Sequence, residues 1–458
     1  MSEWTTSKLS DVIEIIGGGT PKRSETSYWN GNIPWLSVGD FNNDFRFVSN
    51  TSEKISKLGL QNSSTKLLKA GQLILSARGT VGCLAQLSIP MAFNQSCYGL
   101  NGKENIIDNG FLYYFLKNNI NELKQKTHGS VFDTITRNTF EQINISYPNI
   151  KTQQVIARTL GFFDNKITLN TQTNQTLEQI AQAIFKHWFI DFAPVHAKAN
   201  ALARGETIEQ AELAAMACLS GKTIAEITAL QHTAPEAYHQ LQQTAQAFPS
   251  EFVESEMGLV PKGWGYKRAE DLFKIGIGKT PPRKESQWFS SNSKNNVEWI
   301  SIKDMGNSGT HILNSSEYLT QEAIKNFNIK KIPENTVLLS FKLTIGRVSI
   351  TTKETTTNEA IAHFKIGKSH LSTEFLYCYL KNFDFEQLGS TSSIATAVNS
   401  KTIKNMNILF PDIEVVNAFQ KKISILFEKI KSNTKEISYL TSIRDELLPK
   451  LLNGEVEL

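Results

Sequence analysis

Cysteine is scarce in this chain. Only Cys83, Cys97, Cys218 and Cys378 occur in 458 residues, and no two form a Cys-x-x-Cys pair. Neither a disulfide framework nor a zinc site is expected, and four reduced thiols fit a cytoplasmic protein. No stretch approaches the roughly 18 apolar residues of a membrane span. The opening MSEWTTSKLSDVIEII is polar and carries acids, unlike a secretory leader, so no membrane partner is expected. The phosphate-loop pattern also fails. Its Gly-Lys-Thr triplets at Gly221–Thr223 and Gly278–Thr280 have Met216 and Phe273 where the first glycine belongs. There is no Gly-x-Gly-x-x-Gly around Gly17–Gly19 or Gly276–Gly278, and no HExxH, Cys/His cluster or Gly-x-Ser-x-Gly. No NPPF- or DPPY-like segment of an amino-methyltransferase and no nuclease-type cluster of carboxylates and lysine is present. Asp164 and Lys166 fall in a helical stretch and read as solvated charges, and His128 and His187 read as structural. No catalytic residue and no metal ligand is therefore assigned.

What is present is enough for a substantial core. Hydrophobic residues make up 40% and charged residues 20%, which excludes a largely disordered chain. At about 150 residues per domain the length suggests roughly three structural units. The net charge is +4 but unevenly spread. Ala197 to Val260 holds eight Glu, no Asp and three Lys or Arg, a net of −5, which leaves +9 for the remainder. A basic excess outside the middle is compatible with a polyanionic partner.

The chain is written twice, at an offset of 260 to 264 residues. Trp4 corresponds to Trp264, and Ile16–Arg23 (IGGGTPKR) to Ile275–Arg283 (IGIGKTPPR). Ile33–Asp40 (IPWLSVGD) matches Val297–Asp304 (VEWISIKD), placing Trp35 opposite Trp299. Leu73–Gly82 (LILSARGTVG) matches Val337–Gly346 (VLLSFKLTIG), and Asn94 matches Asn358. Phe111–Asn118 matches Phe375–Asn382, and Ile143–Pro148 matches Met406–Pro411. Apolar runs with β-branched character, bounded by turn residues, predict short strands. Short helices are predicted at Phe111–Lys117 and Phe375–Lys381. Each copy reads as a mixed α/β lobe, an α+β fold overall. Trp4, Trp35, Trp264 and Trp299 occupy matched scaffold positions, which favours packing over base stacking.

A heptad follows each lobe. Apolar positions step by three and four through Leu160, Phe163, Ile167, Asn170, Asn174, Leu177, Ala181, Ile184 and Trp188. The second series is Ile423, Leu426, Ile430, Asn433, Ile437, Leu440, Arg444, Leu447 and Leu451, each 263 residues later. Sustained over four heptads, this is a coiled-coil seam. Asn170 and Asn433 share one seam position. They either fix register as buried amides or are exposed breaks in ordinary amphipathic helices. Each helix would run about 35 to 40 residues, roughly 55 Å. Paired antiparallel, the helices would give a pseudo-twofold internal repeat with a lobe at each end, like a homodimer fused into one chain. Arg444, matched with Ala181, makes the seam imperfect at that end. The segment between the copies is Ala- and Gln-rich, with helices expected around Thr207–Ser220 and Pro235–Ala247.

Two non-identical readers at fixed separation suit a split, asymmetric target. In this doubled order of motifs the chain resembles the specificity subunit of a type I restriction–modification system, over essentially all of its length. The resemblance rests on the Gly-Thr-Pro or Lys-Thr-Pro-Pro segment near the start of each half, the Pro-Trp and Glu-Trp segments, and a heptad helix closing each half. It implies target-recognition domains at 1–151 and 263–412. It also implies conserved coiled-coil helices at 152–192 and 413–458, and a helical acidic connector at 193–262. In that family each domain reads one part of a double-stranded DNA site, while the helices act as a ruler and dock two methyltransferase subunits. S-adenosylmethionine, ATP and Mg2+ would then belong to the methyltransferase and motor-nuclease partners, with no cofactor in this chain.

Phosphate contacts need cations or backbone N–H groups, and base reading needs Arg, Lys, Asn, Gln, Ser or Thr on loops. The candidates in the first lobe are Lys22, Arg23, Arg78, Thr80, Asn94, Gln95 and Arg137. In the second they are Lys279, Arg283, Lys342, Thr344, Arg347, Asn358 and Ser393. Lys22 and Arg23 follow a Gly-rich turn where the backbone could approach a phosphate. Lys342 lies 264 residues after Arg78. Each candidate has an alternative reading as a solvated charge or a turn-capping side chain. Two other functions compete with DNA recognition: a divergent fused methyltransferase or nuclease, and a coiled-coil adaptor without DNA specificity.

Overall fold

In a computed structural model, residues 4–43, 45–126, 134–388 and 398–456 are described. They form two compact units. The first comprises Met1–Asn170 with Glu436–Leu458, and the second Thr171–Lys435.

The two lobes share one topology. The first lobe has a five-stranded sheet in the order Ile13–Gly17, Cys97–Gly102, Leu73–Ser76, Leu84–Leu87, Phe47–Val48. The second repeats it as Lys274–Ile277, Ile361–Lys365, Val337–Ser340, Val348–Thr351, His311–Ile312. In both sheets the last pairing is parallel and the others antiparallel. A four-stranded sheet accompanies each: Glu53–Ile55, Trp29–Leu36, Met91–Phe93 and Leu67–Leu68 in one lobe. Its counterpart runs in the order Phe289–Ser290, Glu317–Leu319, Val297–Ile300, Thr356–Thr357. The runs LILS and VLLS are buried at every position, as continuous apolar strands covered on both faces must be. The predicted short helices span Asn109–Asn118 and Thr373–Asn382. Asp108 accepts the N–H of Gly110 and Phe111, and Ser372 accepts that of Phe375, so each helix start is capped by a side chain.

Each lobe continues into a 40-residue helix, Ile150–Phe189 and Ile413–Leu452. The first helix starts in the first unit and ends in the second, and the other runs the opposite way. Each unit therefore contains the start of its own helix and the end of its counterpart's. Within the first unit, Asp164 meets Arg444 while Asn170 and Lys166 meet Glu436, so the two segments are antiparallel. Within the second, Asn174 meets Asn433 while Phe185 meets Phe419, again antiparallel. None of the eighteen seam positions is exposed. Asn170 and Asn433 are buried, each donating its amide N–H, to Glu436 at 2.9 Å and to Asn174 at 3.0 Å.

Two charges read as incidental in the sequence are central to this packing. Asp164 is 4% exposed, not solvated, and Arg444 is 8% exposed. The Arg444 guanidinium donates to Asp164 Oδ1 at 2.6 Å, and the Tyr114 hydroxyl donates to Oδ2 at 2.6 Å. Arg46 in turn donates to the Tyr114 oxygen at 3.2 Å and to Gln86 at 2.8 Å. Burial and the nearby Asp164 charge push the Tyr114 phenol well above its ordinary range. The seam is interrupted at Arg444 because the facing position supplies a carboxylate instead of an apolar side chain. The second unit couples lobe to helix with another set of side chains. There Glu178 accepts from Tyr377 at 2.6 Å and from Thr310 at 3.0 Å.

The connector, expected to be helical throughout, is four helices, Ala193–Ala203, Ile208–Ser220, Ile224–Thr233 and Pro235–Ala247, followed by an antiparallel hairpin of Phe252–Ser255 with Gly258–Pro261. Thr207 with Gln210 and Thr223 with Glu226 form capping boxes, and Pro235 opens the last helix. His187 contacts the Cys218 carbonyl at 3.2 Å, a packing role, while His128 lies outside the described residues. Among the described residues no single helix is long and apolar enough to cross a membrane. One bent pair, Ile208–Ser220 with Ile224–Thr233, passes by length and composition alone.

Two predictions follow from this packing. Arg444→Met strands the Asp164 carboxylate in a buried site and should destabilise the first unit by about 3–5 kcal/mol. A double-mutant cycle with Asp164→Asn, measured by denaturant unfolding, should return a large part of that loss as coupling; additive losses would disprove the pairing. The second concerns two buried histidines of the second unit. Burial, aided by Lys431 and Lys435, holds His311 at about 4. Burial, aided by Lys365, holds His363 at about 3. Both are neutral when folded, whereas the unfolded chain takes up these protons below about pH 6.5. The stability they contribute is fully present above that pH and is lost as pH falls towards 4 and 3. Between pH 7 and 5 this should cost the second unit about 2 kcal/mol per histidine, a slope that His363→Gln should roughly halve.

Candidate nucleic-acid interface

Three segments of each lobe meet at one surface. In the first lobe they are the Gly-rich segment, the hairpin loop after Leu73–Ser76 and the turn at Asn94–Ser96. Gly19 N–H donates to the Phe93 carbonyl at 3.0 Å, Thr20 bonds Gln95, and the Ser96 carbonyl accepts from both Ala77 and Arg78. In the second lobe, Lys279 N–H donates to the Thr357 carbonyl at 3.0 Å, Thr280 bonds Glu359, and Phe341 N–H donates to the Ala360 carbonyl.

The glycines of this surface serve the lobe itself. A Cβ on Gly18 would stand 2.0 Å from the Asn94 carbonyl oxygen, and one on Gly278 2.1 Å from that of Asn358. Here glycine lets the segment lie flat on the lobe. The tryptophans lock the same segment. Trp35 donates its indole N–H to the Gly19 carbonyl and Trp299 to that of Lys279, both at 3.0 Å. Both rings are buried, as the packing reading of these residues anticipated.

Arg23 and Arg283 sit in matching clamps. Arg23 pairs with Glu53 (Nη2–Oε2 2.9 Å) and stacks over Trp29 with its guanidinium carbon 4.0 Å from the ring centre. Arg283 pairs with Glu317 at 2.8 and 2.9 Å and lies 4.4 Å from the rings of Phe289 and Trp299. The paired carboxylates raise both guanidinium pKa values, and the Arg23 side lowers that of Glu53. Each of these arginines already has a carboxylate and aromatic faces as partners. Asn94 and Asn358 spend their side-chain oxygens on the N–H of Ser96 and Ala360, both being turn-makers. Arg347 is half-buried and donates to the Ile302 carbonyl at 2.5 Å. Arg137 donates to the Ile15 carbonyl at 2.9 Å, and Lys279 to that of Phe327 at 3.1 Å.

Lys22, Arg78, Thr80, Lys342 and Thr344 have exposed side chains, as does Gln95 beside Thr20. Ser393 lies outside the described residues. Arg78 and Lys342 head the same hairpin loop in the two lobes. Ser76 donates its hydroxyl to the Thr80 carbonyl at 2.5 Å and accepts the Cys83 N–H. Ser340 does the same with Thr344, at 2.6 Å, and Arg347. A serine thus braces each loop from below while its tip projects into solvent. Two tip residues escaped the sequence reading, Leu343 opposite Gly79 and Glu359 opposite Gln95. The 264-residue offset that paired Arg78 with Lys342 also pairs these, and was the available signal.

The braced loops and the clamped arginines should respond differently to substitution. Arg23→Ala should lower first-lobe stability by about 1 kcal/mol through loss of the ion pair and ring contact. Arg78→Ala and Lys342→Ala should leave the melting temperature within experimental scatter, since each side chain is exposed; a shift comparable to that of Arg23→Ala would contradict the assignment.

The sequence matches the model of the type I restriction modification DNA specificity domain twice, over residues 1–179 and 261–442. It is 35% identical, over the full length of both chains, to the HindI specificity subunit of Haemophilus influenzae. It is 27% identical to the MjaIX specificity subunit of Methanocaldococcus jannaschii, covering all of this chain and 94% of that one. Its fold is similar to that of a type I restriction–modification S subunit from M. genitalium, with a TM-score of 0.54, 15% identity and coverage of 98% and 96% of the two chains. Together with the doubled lobe and paired helices, these matches place the chain in the type I restriction–modification DNA specificity family.

Proposed function

We propose that this chain is the DNA sequence-recognition subunit of a type I restriction–modification complex. Each lobe reads one part of a split, non-palindromic site on double-stranded DNA. The two 40-residue helices set the spacing between the parts and dock two methyltransferase subunits, through which motor-nuclease subunits join. S-adenosylmethionine, ATP and Mg2+ act on those partners, and this chain contributes recognition without an active site of its own. The observation that carries the reading is the hairpin loop built identically in both lobes but with different tips, Arg78-Gly79-Thr80 against Lys342-Leu343-Thr344. A shared scaffold presenting different side chains at the same place is what reading two different half-sites requires.

The test is co-expression with the cognate methyltransferase subunit in a methylation-free host, followed by single-molecule sequencing of modified bases. N6-methyladenine confined to one split, asymmetric motif and dependent on both proteins is the expected result. Methylation by this chain alone would favour the enzyme reading. Methylation independent of it, with no sequence-specific binding by the pair, would leave the adaptor. Arg78→Ala or Lys342→Ala should relax one position of its half-site at a cost of about 1–3 kcal/mol if it reads a base. If it holds a phosphate, it should instead weaken all sites evenly and flatten the salt dependence.

A further inference from the structure

Leu343 is an anomaly in physical terms. It is 98% exposed, the highest value among the large apolar side chains described. Its backbone lies in the left-handed region at φ +62°, where a branched apolar residue is disfavoured. The corresponding residue of the first lobe is Gly79, at φ +72°, which adopts that conformation freely. The loops are otherwise braced alike, so the turn requires no side chain here. Neither folding nor packing of the second lobe accounts for a leucine at this place. Strained backbone and bare apolar surface coincide at the tip of the loop that carries Lys342 and Thr344, with Ile345 also exposed.

We propose that Leu343 is a base-reading residue of the second lobe, making apolar contact with the C5-methyl group of a thymine in the major groove. This rests on the DNA-recognition function proposed above. The loop joins Val337–Ser340 and Val348–Thr351, two antiparallel strands inside the five-stranded sheet, so only its projecting tip is offered to the major groove, which is wide enough to admit it. Thymine offers the one apolar group on that groove's floor, and Lys342 beside Leu343 supplies a cation for the adjacent phosphate or a guanine edge. Gly79 presents no such group, so the first lobe reads without a methyl contact from its own loop tip. This single difference would help make the target asymmetric.

The experiment uses the complex of the full chain with its methyltransferase subunit and a duplex carrying the sequenced motif. Each thymine of the second half-site is replaced singly by deoxyuridine, which removes only the methyl group. One such duplex should bind the wild-type complex about fourfold more weakly, the ratio expected for one buried methyl group. Leu343→Gly should bind that duplex and the parent equally, with a melting temperature no lower than that of the wild type, and Leu343→Asn, which also tolerates this backbone, should behave alike. The proposal is overturned if no single replacement weakens binding, if both variants keep the wild-type discrimination, or if the half-site contains no A·T pair. It is equally overturned if the variants keep the motif but lose the methyltransferase, which would make Leu343 a protein contact. A wild-type complex with no split motif at all would instead bring down the recognition function itself.

Discussion

The packing of each lobe on helix from both halves of the chain is the constraint on which everything else rests. A 40-residue amphipathic helix gains little stability alone and must bury its apolar stripe. In the first unit that burial is shared by the lobe, the start of its own helix and the chain's last turns. Leu448, Leu451 and Leu452 lie in one core with Leu9, Phe111 and Leu160. In the second unit Ala181, Phe185, Trp188 and Phe189 share a core with Phe375, Phe419 and Ile423. Neither lobe closes its interior with its own residues alone, since each core draws on helix from the other half of the sequence.

Polar groups inside these cores do a different job from the apolar ones. The chain Gln86–Arg46–Tyr114–Asp164–Arg444 runs from a sheet strand of the first lobe into the helix pair without leaving the buried interior. Such a network adds little net stability compared with an apolar filling, but any misplacement leaves a charge unpaired. In the second unit Glu178, Tyr377, Thr310 and Lys381 form an analogous link, again a tyrosine hydroxyl donating to a helix carboxylate, but from positions that the repeat does not pair, so the repeated fold does not require one particular set.

The candidate surface sits on this base and follows a simple division. Tryptophan indoles, turn-making asparagines and clamped arginines hold three segments together, and the projecting residues differ between the lobes at Arg78/Lys342, Gly79/Leu343 and Gln95/Glu359 while Thr80 and Thr344 are shared. The clamps explain why an arginine next to a Gly-Thr-Pro segment need not face a ligand. Its charge is already met by Glu53 or Glu317, and its flat guanidinium by aromatic faces.

Much of this was readable in the linear chain. The 260–264 offset predicts the doubled topology because equal spacing of aromatic, glycine and apolar residues demands equal strands. The three–four stepping predicts the paired helices, because it puts one stripe on one face. The serines, glycines and apolar runs of the hairpins carry their local geometry with them. Which charges would be buried was not readable, because Asp164 and Arg444 are 280 residues apart and only antiparallel packing brings them together. The fates of Arg23 and Arg283 depended likewise on carboxylates supplied by a neighbouring strand. The exposure of Leu343 was hidden for the opposite reason. An apolar residue within an apolar run looks like core until the fold shows that the turn has carried it outward.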